Sequence, residues 1–218
     1  ICPQDRLCEG SCVIEKDFGS VTIGSVEKFI TENAFDNGWV GAPVPEVPEN
    51  GLSIGIIGAG PAGLAAAESL RRKGYSVHMY DRYDRAGGLL IYGIPEFKLE
   101  KKVLERRRKL FEQAGIQFHQ NVDVGKCISL AELRKQHNAV LIATGVYKAK
   151  EMALLDGSIT GVVPALPYLI TSNRVCLGDT VKETDNGTYN AKGRHVMVIG
   201  GGDTAIDCIR TAVRQGAA

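Results

Sequence analysis

Two glycine-rich turns, Gly58-Ala59-Gly60-Pro61-Ala62-Gly63 and Gly200-Gly201-Gly202-Asp203-Thr204-Ala205, each follow a short β-branched apolar run and open a helical pattern. Glycines at such a turn let peptide N–H groups approach a pyrophosphate in the positive field of a helix N-terminus, while a third small residue lets helix and strand pack closely. The spacing also occurs at turns that hold nothing, so one copy says little; two copies in strand–turn–helix context point to two dinucleotide sites. Asp81 lies 23 residues beyond Gly58, close to the ~20 at which a carboxylate meets an adenosine ribose. A solvated strand-end aspartate is the alternative. Arg85-Ala86-Gly87-Gly88-Leu89 then brings a second glycine pair near an extended ligand. That suits FAD, whose flavin half runs on past the pyrophosphate. In the second turn a phosphate would face Gly201, Gly202 and the Thr204 hydroxyl, and Asp203 could instead cap the helix.

Cys2, Cys8 and Cys12 crowd the start of the chain as C-x5-C-x3-C. Thiolates so spaced can ligate iron–sulfur clusters or zinc, and three are one short of a closed site. Cys127, Cys176 and Cys208 stand singly in apolar contexts and read as small buried hydrophobes without chemistry.

The positioning elements follow from periodicity. Val26, Phe29, Ile30, Ala34 and Phe35 recur at helical spacing before Gly38, and Pro43, Pro45 and Pro48 mark a linker. A parallel strand is expected over 52–57, a helix over 61–73 ended by Gly74, and a second strand over 76–81. Helices are expected over 99–114 and 130–137, a strand over 139–143, polar turns over 183–193, a new strand over 196–199 and a helix over 204–215. The fold class is therefore α/β, with two Rossmann-like dinucleotide-binding units behind a small helical module. The domain expectation is 1–50 for the helical module and linker, 51–182 for the first nucleotide domain, and 183–218 for the start of a second.

The composition is 44% hydrophobic and 23% charged with a net charge of +1, ordinary for a globular chain and without the field that favours nucleic acid or an anionic membrane. Most of the basic run Lys98, Lys101, Lys102, Arg106, Arg107, Arg108, Lys109 reads as the solvated face of the 99–114 helix. No apolar run approaches the roughly 20 residues of a membrane span, and the start lacks a secretion-signal layout. A cytoplasmic protein, itself a piece of a longer one, is expected.

Taken together, the stretch 1–12, Val21-Thr22-Ile23-Gly24, the Gly58 turn, Gly87-Gly88-Leu89 with Tyr92-Gly93-Ile94-Pro95-Glu96-Phe97-Lys98-Leu99, Ala143-Thr144-Gly145 and the turn from Gly200 through Cys208 resemble the small (β) subunits of bacterial NADPH-dependent glutamate synthase. The N-terminal half of dihydropyrimidine dehydrogenase shares the order of parts. Essentially the whole chain is covered. The resemblance implies a helical domain with two 4Fe–4S clusters, an FAD domain, and an NADPH domain inserted into it. It places Gly58, Ala59, Gly60, Pro61 and Ala62 on the FAD pyrophosphate, Asp81 on its ribose, Gly88 and Leu89 along the cofactor, Lys98 near it and Val124 near the adenine. Gly201, Gly202, Asp203 and Thr204 would meet NADPH. Cys2 and Cys8 would share one cluster with Glu27 at a glutamine position, and Cys12 would serve the other. Electrons from NADPH would pass through FAD and the clusters to a large FMN-containing subunit that makes glutamate from 2-oxoglutarate and glutamine. An electron-input subunit of a related oxidoreductase, dihydropyrimidine dehydrogenase-like or a ferredoxin:NADP oxidoreductase, is the alternative. The family's upstream cysteine group and later FAD-binding segment are absent from this sequence. Measuring iron and acid-labile sulfide in six single Cys→Ala variants of the full-length protein should show loss for Cys2, Cys8 and Cys12 only; an iron-free wild type would reject the cluster reading.

Overall fold

The computed structural model describes residues 2–148, 159–185 and 187–218. Two units separate, 1–42 and 43–218. In the first, a turn of 3-10 helix (Gln4–Arg6) and the short α1 (Glu15–Phe18) precede α2 (Ile23–Asp36). None of these three carries a buried residue, and Phe29, Ile30 and Phe18 stand exposed. The Ser20 hydroxyl donates to the Glu9 carbonyl at 3.0 Å, fastening the cysteine loop to the turn before α2.

In the second unit the β-branched run Ser53–Ile57 becomes β1, buried at all but its first residue. Pro61–Arg72 forms α3 with Pro61 in its first turn, Ser76–Tyr80 forms β2, and a four-residue α4 (Leu89–Tyr92) precedes α5 (Lys101–Gln113). A three-residue β3 (Gln117–His119), α6 (Leu130–Gln136) and β4 (Ala139–Ile142) complete a parallel sheet of order β3-β2-β1-β4. The Ser129 hydroxyl accepts the Glu132 N–H at 3.1 Å while the Glu132 carboxylate accepts the Ser129 N–H at 2.8 Å, a capping box worth about 1 kcal/mol at the start of α6. Ile54, Ile56, Val77 and Met79 face α3 and α5 through Ala67 and Phe111. Ile57 and Tyr80 face Leu133 on the other side.

Three helices remain: α7 (Ala165–Cys176), α8 (Lys182–Asp185) and α9 (Asp203–Gln215). No apolar period announces α7, because its buried face mixes Tyr168 and Leu169 with the polar Thr171 and Asn173. The expected strand over 196–199 is not formed. That stretch has no regular structure, and Val196, Met197 and Ile199 are exposed. A strand exists only through ladder bonds to a neighbour, and among the described residues the single sheet ends at β4. Of the expected second Rossmann-like unit, the described residues show a glycine turn and a helix and no strand.

Within the basic run one residue departs from the solvated face. Lys101 is buried, its Nζ donating to the carbonyls of Leu90 at 2.9 Å and Ile94 at 2.5 Å, which joins α4 to α5. Burial pulls its pKa down to about 8. Of the three cysteines read as buried, Cys208 is, whereas Cys127 in a loop and Cys176 at the last position of α7 are exposed. Among the described residues no helix is long and apolar enough to cross a membrane.

Strand alternation puts Ser76, His78 and Tyr80 on one face of β2, where His119 and His137 join them. His78 Nδ1 lies 3.3 Å from His119 Nε2, and His137 spans the Tyr80 hydroxyl at 2.9 Å and the Ser53 hydroxyl at 2.5 Å. Burial lowers all three imidazole pKa values, and neighbouring imidazoles lower His78 and His137 further. The folded state therefore keeps them neutral where the unfolded chain takes up protons. Stability should be full above the unfolded value of about 6.5 and fall as pH drops below it. Urea midpoints at pH 7.5 and 5.5 should differ more for the wild type than for a His78→Gln/His119→Gln variant; equal differences would remove the histidines as the cause.

Candidate nucleotide-binding site

At the carboxyl ends of β1, β2 and β4 the sheet opens a cleft of about 270 Å³, lined among others by Ile57, Gly58, Asp81, Val124, Thr144 and Tyr147. It lies where β1 sends its crossover to β2 on one side while β4 pairs on the other, the place where open parallel sheets bind ligands. Asp81 is no solvated strand end. It is 8% exposed, and its Oδ2 accepts the Ala59 N–H at 2.7 Å while its Oδ1 accepts the Tyr83 N–H at 2.9 Å. One carboxylate thus shapes both the first glycine turn and the loop after β2, and its remaining lone pairs are open to a hydroxyl.

Gly58 turns the chain out of β1 at a φ of +107°, and a Cβ there would meet the Ala143 carbonyl oxygen at 2.4 Å. Gly60 is the N-cap of α3 without a side-chain cap. Since Pro61 has no N–H, the first-turn donors without a helical partner are those of Ala62 and Gly63. Gly88 faces this turn with a φ of +53°, and a Cβ on it would come within 2.8 Å of the Gly60 Cα. The Gly87 N–H donates to the Ala59 carbonyl at 2.8 Å, which locks the two glycine turns together. Leu89, partly exposed, opens α4 directly after Gly88.

Lys98 is not among the cleft residues given above; its Nζ lies 3.2 Å from each carboxylate oxygen of Asp207 on α9. Gly201, Gly202, Asp203 and Thr204 are all exposed at the start of α9. Gly202 is the N-cap, so Asp203 sits in the first turn and does not cap it. In the other unit Cys2 is exposed, Cys8 and Cys12 are half-buried, and Glu27 is exposed on α2. The Cys12 sulfur accepts the Val21 N–H at 3.5 Å. Among the described residues no three His, Cys, Asp or Glu side chains are gathered so as to hold a metal ion. The thiols have the right chemistry for a cluster, but no ligand set is assembled.

Sequence reading missed an aromatic wall. The Arg82 guanidinium carbon stands 4.3 Å from the Tyr147 ring centre and 4.9 Å from that of Tyr83, and all three residues line the cleft. Arg82 and Tyr83 could have been found from their place directly after Asp81 at a strand end, whereas nothing in the sequence marks Tyr147. Burial pushes the Tyr147 hydroxyl pKa up. The buried carboxylate, the paired glycine turns, the free helix-start donors and the adjoining cleft fit the adenosine and pyrophosphate portion of a dinucleotide.

These features define an α/β fold of the dinucleotide-binding type, and comparison with known proteins places it. The chain belongs to the pyridine nucleotide-disulphide oxidoreductase family, whose model matches residues 52–218. Residues 1–39 match the model described as dihydropyrimidine dehydrogenase domain II, 4Fe-4S cluster. The chain is 63% identical over its full length to the glutamate synthase [NADPH] small chain of Azospirillum brasilense, covering 45% of that protein. It is 46% identical over its full length to the glutamate synthase [NADPH] small chain of Escherichia coli, covering 46%. The chain thus spans about half the length of these curated relatives. Among solved structures, Mycobacterium tuberculosis FprA in complex with NADPH shares the fold, with a TM-score of 0.62 over 75% of this chain and 36% of that one at 23% identity.

A Cβ on Gly60 would touch only the Gly88 Cα, at an ordinary 3.9 Å, and its φ of −79° suits any L-residue. Gly60→Val should therefore fold while filling the space between the turns. In the full-length protein it should melt near the wild type but bind FAD at least roughly 100-fold more weakly, about 2.7 kcal/mol, by flavin fluorescence titration. Full, tight flavin content in that variant would disprove the assignment.

Proposed function

We propose that this chain is the FAD-binding and coenzyme-docking part of a glutamate synthase small subunit, the electron-input partner of a large subunit. The observation that carries the reading is the Gly60–Gly88 cradle beside Asp81, in a chain 63% identical to one such small chain. FAD, when bound, takes a hydride from NADPH and releases electrons singly. The residues here bind and orient. Peptide N–H groups of the 58–63 turn hold the pyrophosphate, Asp81 holds the ribose, and Val124 borders the adenine. Gly88, Leu89 and Lys98 follow the flavin half, while Gly201, Gly202, Asp203 and Thr204 receive NADPH. Orientation is what such a reaction asks of its protein: reacting atoms held about 3–3.5 Å apart with water excluded. Cys2, Cys8, Cys12 and Glu27 are proposed as ligands toward 4Fe–4S clusters.

Anaerobic NADPH should bleach the flavin band of the full-length protein. Adding the large subunit, 2-oxoglutarate and glutamine should then couple NADPH oxidation to glutamate formation. Bleaching with no glutamate, but with reduction of a ferredoxin or a pyrimidine, would assign the chain to a different electron-input subunit. No bleaching would refute the redox reading.

A further inference from the structure

Helix α9 is tied to the segment that follows the Gly87–Gly88 turn and α4. Lys98 Nζ sits 3.2 Å from both oxygens of Asp207, whose side chain is only 9% exposed. On the same face of α9, the guanidinium carbons of Arg214 and Arg210 lie 3.9 and 4.7 Å from the Phe97 ring centre. Asp207, Arg210 and Arg214 recur at i, i+3 and i+7, so one stripe of the helix makes all three contacts.

From Phe97 and Lys98 a run of backbone hydrogen bonds leads back to the cradle. The Lys98 N–H donates to Pro95, Ile94 to Leu89, and both Ile91 and Tyr92 to the Gly88 carbonyl. A second fastening runs beside it. Asn173 Nδ2 donates to the Tyr92 carbonyl at 2.8 Å, and the Tyr168 hydroxyl of α7 reaches Gln215 of α9 at 3.0 Å. A buried carboxylate that lost its ammonium would stand uncompensated in a low dielectric, so this pair resists opening.

We propose that Asp207 is a positioning residue which, through Lys98, fixes α9 and the glycine turn that opens it relative to the Gly60–Gly88 cradle. Filling the cradle with an adenine dinucleotide then steadies the second turn, and by reciprocity a ligand at the second turn strengthens binding at the first. The inference rests on the two-site reading above. It adds the connection between the sites, which neither glycine turn supplies by itself.

The test is amide hydrogen exchange on the full-length protein, flavin-stripped against FAD-reconstituted. FAD should slow exchange across 203–212 by about tenfold, the scale of one charge-assisted hydrogen bond. In Asp207→Asn that slowing should vanish while slowing at 58–62 persists, and KM for NADPH should rise with the flavin spectrum unchanged. Arg214→Gln, which leaves the ion pair alone, should show a smaller loss in the same direction and serves if Asp207→Asn does not fold. Slowing of α9 that survives in Asp207→Asn, that stays at the full wild-type size in Arg214→Gln, or that the wild type never shows, overturns the proposal. A wild type whose flavin NADPH fails to bleach would instead sink the two-site reading, and the exchange comparison would still judge the connection.

Discussion

The site depends on one buried carboxylate. Asp81 ends β2, and by accepting the Ala59 and Tyr83 N–H groups it sets the shape of the first glycine turn and of the loop that returns toward Gly88. A carboxylate this buried is tolerable because its charge is met by oriented N–H dipoles. Those bonds also hold Gly60 where Gly88 can come against it. The Gly87–Ala59 backbone bond adds to this in keeping the two turns in register.

Outward from Asp81, the loop after β2 is secured by charge. Arg85 forks onto Asp179 with bonds of 2.7 and 2.8 Å. Arg174 of α7 bridges Asp179 at 3.0 Å and Asp84 at 2.8 Å, and the Tyr92 hydroxyl donates to the same Asp84. Burial pulls the Asp84 carboxyl upward, but the Tyr92 hydroxyl and the two arginines outweigh it and hold the pKa below the usual range. Each contact is partly exposed and individually modest. As a network it fastens the Gly88 loop to α7, the helix that packs against α9. The cradle and the second glycine turn are therefore parts of one assembly despite their separation in sequence.

Local signals made much of this legible. The β-branched run before Gly58, Pro61 in the first turn and Gly74 after α3 each act within a few residues, so their elements fall close to where the pattern places them. The spacing from Gly58 to Asp81 likewise places the carboxylate at the cleft. Tyr147 and the polar buried face of α7 carry no such mark, since their roles come from what lies opposite them.

The sequence by itself determined the glycine turns, the helix and strand periods around the first site, and the thiols of the N-terminal module, because all of these are set by backbone sterics and residue type. Only the tertiary structure decided that Lys98 pairs with Asp207, that Lys101 is buried on carbonyls, that three histidines share one face of the sheet, and that 196–199 forms no strand among the described residues. The physical reason is the same throughout: a charge, an imidazole or a strand takes its state from a partner distant in sequence, and residue spacing does not name that partner.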